Sequence, residues 1–162
     1  MKKMKNFFIP IFILSLIFVW SCQEKDNVSG IKAEKKILTY NNIVLKLNKD
    51  TLQNNKVEMD KELTINIEGL DGFTKMNDVV FIGCSVQVTD EKNNAIVSYK
   101  DLYSYYDVSG ITPQDIKEKF SMTIGIRPPM VKGGIYKWRS RIWDKKGKGE
   151  LTLEFDFKVK GE

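Results

Sequence analysis

Ile135-Tyr136-Lys137-Trp138-Arg139-Ser140-Arg141-Ile142-Trp143-Asp144-Lys145-Lys146-Gly147-Lys148-Gly149, continued by Glu150 to Lys160, is the stretch that decides the fold. In its first half Tyr136, Trp138, Ser140 and Ile142 fall on one face of an extended chain, and Lys137, Arg139, Arg141 and Trp143 on the other. In its second half Leu151, Leu153, Phe155, Phe157 and Val159 alternate with Thr152, Glu154, Asp156, Lys158 and Lys160. The lysines and glycines between the halves form a turn, so the pattern predicts an antiparallel hairpin. Side chains alternate strictly, so only registers that pair an even position with an odd one turn both apolar sets inward. A turn over Asp144 to Gly149 sets Trp143 opposite Glu150. From there Ile142 meets Leu151, Ser140 meets Leu153, Trp138 meets Phe155 and Tyr136 meets Phe157. On the outer face Arg141 meets Thr152, Arg139 meets Glu154 and Lys137 meets Asp156, which places opposite charges across from one another.

The same period of two recurs upstream. Ile43, Leu45 and Leu47 share a face, as do Leu63, Ile65 and Ile67 within Glu62 to Glu68. Asn48 to Asn55 reads as a polar loop, and Gly69-Leu70-Asp71-Gly72 as a turn. Val79 to Thr89 is a longer strand with Val80, Ile82, Cys84, Val86 and Val88 in phase, and Gly83 marks a bulge or a close approach of another group. Asp90 to Asn94 is a turn whose oxygens lack the spacing of a calcium loop. Ala95 to Tyr103 predicts a further strand, and Ser121 to Arg127 another, with Met122, Ile124 and Ile126 in phase. Thr112-Pro113-Gln114-Asp115 has a capping threonine, a proline at the first helical position and an acidic first turn, which predicts one short helix to about Phe120. Seven or eight alternating strands with one helix predict an all-β, antiparallel β-sandwich. A closed barrel of lipocalin type is the other architecture that fits.

The terminal hairpin, glycines then Tyr-x-Trp, a strand, Trp-Asp-Lys-Lys-Gly and a closing amphipathic strand, resembles the last two strands of immunoglobulin-like modules in bacterial lipoproteins and adhesins. The resemblance spans roughly residues 133 to 160 and implies an immunoglobulin-like sandwich. The Cys…Trp…Cys spacing of antibody domains is missing, so a true immunoglobulin domain is not implied. Fold of this kind does not dictate function.

At the other end of the sequence, Lys2, Lys3 and Lys5 precede an uncharged apolar run from Phe7 to Cys22. A basic start and a short apolar core form a secretory signal, and the run falls short of the roughly 20 residues of a spanning helix. Val19-Trp20-Ser21-Cys22 resembles the lipobox of bacterial lipoproteins, although Trp20 stands where a small residue is usual. That resemblance implies cleavage before Cys22 and acylation there. Several acyl chains would hold the protein stably, at about 0.8 kcal/mol per buried methylene. Gln23-Glu24-Lys25-Asp26 resembles the acidic export tag of surface lipoproteins in Bacteroidetes-type bacteria. The chain is thus expected to divide into a lipoprotein signal peptide (1–21), a polar tether (22–35) and a sandwich domain (36–162). It is expected at the outer membrane, anchored through Cys22 and facing either the surface or the periplasm.

Three of the 26 basic residues lie in the leader, leaving 23 against 21 acidic ones, a near-neutral balance with no basic aromatic stripe for nucleic acid. There is no histidine, which removes Ser-His-Asp and Cys-His nucleophile systems and histidine-ligated metals. No cofactor is expected. Cys84, in phase with its apolar neighbours, reads as a buried small hydrophobe. Adjacent tyrosines in Tyr103-Ser104-Tyr105-Tyr106-Asp107 cannot all face one core if extended, so some are exposed. The functional expectation is a non-catalytic binding or accessory module that contacts an envelope protein or a glycan through Trp143, Tyr103, Tyr105 and Tyr106. The alternative is a carboxylate-dependent enzyme acting on glycans, for which Asp71, Asp101, Asp107 and Asp144 are the available groups.

Overall fold

A computed structural model describes residues 25–26 and 30–161. The leader, the lipobox and Cys22 lie outside the described residues. In chain order the elements are β1 (Lys25–Asp26), β2 (Ile31–Lys36), β3 (Asn42–Leu47), β4 (Asp50–Thr51), β5 (Lys56–Val57), β6 (Lys61–Glu68), β7 (Ile82–Asp90), β8 (Ala95–Tyr99), a 3-10 turn (Ser104–Tyr106), α1 (Pro113–Lys119), β9 (Phe120–Ile126), β10 (Ile135–Asp144) and β11 (Glu150–Val159). The described residues are all-β with a single α-helix. Of the eleven strands among the described residues, β1, β4 and β5 are two-residue pieces, and all of the remaining eight except β2 match the alternating segments of the sequence.

The strands divide between two sheets rather than closing one barrel. One has the order β1-β2-β11-β10-β7-β8, with β5 beside β11; the other has the order β4-β3-β6-β9. Pairing is antiparallel throughout except between β5 and β11. The inward faces of both sheets contribute to one hydrophobic cluster, from Leu45, Leu63 and Ile65 on one side to Trp138, Leu153 and Phe157 on the other.

The terminal hairpin has the register that alternation and the turn dictate, from Trp143 opposite Glu150 to Tyr136 opposite Phe157. Trp138 is fully buried and stacks with Phe155 at 5.8 Å between ring centroids. On the outer face Arg139 bonds Glu154 at 2.7 Å. Lys137 also turns to Glu154, at 3.3 Å, instead of Asp156, and Arg141 reaches diagonally to Glu150 at 2.8 Å. Charged side chains are long enough to choose between facing and diagonal partners, whereas register is fixed by the backbone.

Two boundaries differ from the sequence reading. Residues 22–35 are not a tether throughout: Ile31–Lys36 is a strand paired with β11, and Ile31 and Ala33 are buried. Charged Lys32, Glu34 and Lys35 hide a two-residue alternation whose apolar set is only Ile31 and Ala33. The strand expected to reach Tyr103 stops at Tyr99, because Asp101 turns its carboxylate back onto main-chain amides and the chain then coils. The expected helix is present, with the Thr112 hydroxyl accepting from the Asp115 amide at 3.2 Å.

Candidate functional site

The segment from Asp101 to Phe120 leaves the edge strand β8 and crosses to β9 in the second sheet. Its first residues are fastened to β7. The Leu102 amide donates to the Cys84 carbonyl at 2.7 Å, and Asp101 accepts from the amides of Cys84 at 3.0 Å and Tyr103 at 2.9 Å. The 3-10 turn follows, closed by the Tyr106 amide on the Tyr103 carbonyl and the Gly110 amide on the Tyr106 carbonyl, both at 2.9 Å. Gly110 has φ +66°, and a Cβ there would overlap the Val79 side chain, so glycine alone lets the loop return this close to the sheet. Val80 and Ile111 then bridge, and Thr112 caps α1.

The three tyrosines are gathered but not equivalent. Tyr103 lies nearly parallel to Phe120, 5.0 Å away, and its hydroxyl donates to the Ser121 carbonyl at 3.4 Å. Burial pushes its hydroxyl up to about 12, with the neighbouring Cys84 adding to the shift. Tyr103 therefore ties the loop to the second sheet. Tyr106 stands 6.2 Å from Tyr103 and meets Tyr105 edge-on at 5.5 Å. Tyr105 is 88% exposed and Val108 95%, so the loop presents an aromatic and aliphatic tip to solvent. Beneath it a cleft of about 430 Å³ opens between the loop and α1, lined by Tyr103, Tyr106, Ile111, Ile116 and Phe120, with Asp115 and Lys119 on its rim. Asp115 and Lys119 are one helical turn apart and 3.7 Å from each other. The helix wall and Phe120 were not visible as part of a site in the sequence, where α1 reads only as a capped helix.

Trp143 has a different setting. Its indole lies against Gly83 of the neighbouring strand, where any Cβ would overlap the ring, which is the close approach that the glycine foretold. The Arg141 guanidinium sits 5.1 Å from the ring centroid. Trp143 is half-buried on the outer face of the larger sheet, and its ring packs within that face instead of joining the tyrosines.

Each aspartate of the carboxylate reading has a partner. Asp71 pairs with Lys117 at 2.7 Å, whose hydrogen bond holds it below the ordinary carboxylate range. Asp144 is buried and accepts from the amides of Thr74 at 2.7 Å and Lys146 at 2.9 Å. Asp101 and Asp107 converge on Lys145, Asp101 at 2.5 Å. Burial alone would raise the Asp101 carboxyl, but Lys145 and the amides of Cys84 and Tyr103 together hold it low. Cys84 is buried and unpaired; burial, and then the Asp101 charge, push its thiol up to about 12, so it stays protonated near neutrality. Among the described residues no three His, Cys, Asp or Glu side chains group as metal ligands, and no helix is long and apolar enough to cross a membrane.

No family model matches the chain, and no curated protein matches it.

Proposed function

We propose that this chain is a lipid-anchored envelope lipoprotein of the type found in Bacteroidetes-type bacteria, whose immunoglobulin-like sandwich acts as a non-catalytic contact module for a protein or glycan. The signal at residues 1–21 delivers it to the outer membrane, and acylated Cys22 holds it there, at the surface or facing the periplasm. Two sheets sharing one core, closed by the terminal hairpin, support the immunoglobulin-like reading.

One observation carries the contact surface: the loop exposes Tyr105, Tyr106 and Val108 while its ends are fastened to both sheets. Exposed aromatic rings on a fixed support bind with little ordering cost. The loop also stands clear of the anchored end, since β8 is four strands from β2, roughly 19 Å at ordinary strand spacing. The commitment of all four aspartates to lysines or main-chain amides supports binding over acid–base chemistry. Trp143, packed on Gly83 on the outer face of the larger sheet, stands apart from this surface and takes the secondary place in the proposal.

The test is crosslinking and recovery from intact envelopes, alongside a glycan array, with the native chain, Cys22→Ser and the Tyr105→Ala/Tyr106→Ala double variant. Cys22→Ser should remain an uncut precursor and lose acyl labelling; unchanged labelling would sink the anchor. The double variant should lose the partner or glycan that the native chain captures while keeping its thermal midpoint. Recovery of the same partner at the same yield would rule the tyrosine loop out.

A further inference from the structure

We infer that Lys145 is the positioning residue of the tyrosine loop, gripping both of its ends with one ammonium group. Asp101 immediately precedes the loop and Asp107 immediately follows the 3-10 turn, so the two carboxylates bracket Leu102 to Tyr106. Both bond the same Nζ, Asp101 at 2.5 Å. Lys145 comes from elsewhere: it is the first residue after β10, in the turn of the terminal hairpin. Its own amide donates to the Phe81 carbonyl at 2.8 Å, which fixes its backbone beside the start of β7.

The three groups differ in exposure in a way that assigns their roles. The side chains of Lys145 and Asp101 are each only 18% exposed, whereas that of Asp107 is 53% exposed. The Lys145–Asp101 pair is thus the sheltered joint, where charge-assisted hydrogen bonds are strong and weakly screened by salt. Asp107 is the arm that folds the far end of the turn back onto that joint. Asp101 completes the junction through the amides of Cys84 and Tyr103, so the ammonium, β7 and the first tyrosine share one carboxylate. Without the ammonium, two carboxylates would face one another at the base of the loop with no cation between them. The loop would then open from its Asp107 end, since Tyr103 stays stacked on Phe120.

This rests on reading the loop as a contact surface, but its test needs no ligand and so fails or succeeds separately. Hydrogen–deuterium exchange is followed by mass spectrometry in the full chain and in Lys145→Met, Lys145→Arg and Asp107→Asn. The amides of Tyr106, Asp107 and Gly110 are the reporters, and those of β6 and β9 the control. In Lys145→Met the reporters should exchange about tenfold faster or more, the scale of losing one charge-assisted hydrogen bond, while the control strands hold. Lys145→Arg should keep native exchange, and Asp107→Asn should fall between. Native exchange of the reporters in Lys145→Met would overturn the inference. So would equal acceleration in the control strands, which would make Lys145 a general stabiliser, or an Arg variant as fast as the Met variant, which would mean that charge is not what holds the loop.

Discussion

Trp138 and Arg139 are adjacent on β10 and lie on its two faces, Trp138 fully buried against Phe155 and Arg139 on the surface beside Glu154. The stability consequences diverge accordingly. Trp138→Ala leaves a cavity and should cost about 3–5 kcal/mol, a large share of the stability of a domain this size. Arg139→Ala removes one exposed ion pair and should change stability by less than about 1 kcal/mol. Ser140, the next inward residue, has a buried hydroxyl with no hydrogen-bond partner among the described residues. Ser140→Ala should therefore be neutral or stabilising, because it removes an unsatisfied polar group from the core. Urea unfolding of the three variants checks the set. A Trp138→Ala midpoint near the native one, or a strongly destabilised Ser140→Ala, would contradict this description of the core.

At the scale of elements, the outer face of the terminal hairpin is an acid-sensitive seam. Hydrogen bonds from Arg139 hold Glu154 below its ordinary value of 4.5, with Lys137 adding to the effect, and Arg141 does the same for Glu150. A carboxylate whose folded pKa is depressed contributes stability that is complete above its unfolded value and is lost as pH falls through the folded value. The thermal midpoint should therefore be level above about pH 5 and decline below about pH 4, with Glu154→Gln showing a shallower acid decline than the native chain. Parallel declines would show that the ladder adds nothing. The register of this seam was legible in the sequence because alternation leaves few ways to pair two amphipathic strands. β2 was not, because charged side chains surround its two buried residues. The tyrosine cleft was half legible: that some of the tyrosines are exposed follows from their adjacency, but which ones, the walls from α1 and Phe120, and the Lys145 grip, depend on the coiled turn and on contacts between segments that no local pattern records.

At the scale of the molecule, β11 is the organising strand of the larger sheet. One side pairs with β10 along its length; the other is shared, with β2 beside Glu150 to Glu154 and β5 beside Lys158 and Val159. Deleting residues 1–30 should leave a folded domain, whereas deleting residues 1–36 should not leave it intact. The second deletion removes buried Ile31 and Ala33 and bares half of a strand edge. Circular dichroism and light scattering distinguish the two: a monomeric, fully folded 37–162 fragment would demote β2 to decoration.

That shared edge also sets a schedule for synthesis. Lys32 and Glu154 are Cα partners, as are Lys158 and Lys56, so the larger sheet cannot assemble until the ribosome has made β11. Until then β5 has no partner and β2 has only the two-residue β1, and a nascent chain dominated by such distant pairings folds slowly. A polypeptide in that condition commits to its larger sheet only with its last strand.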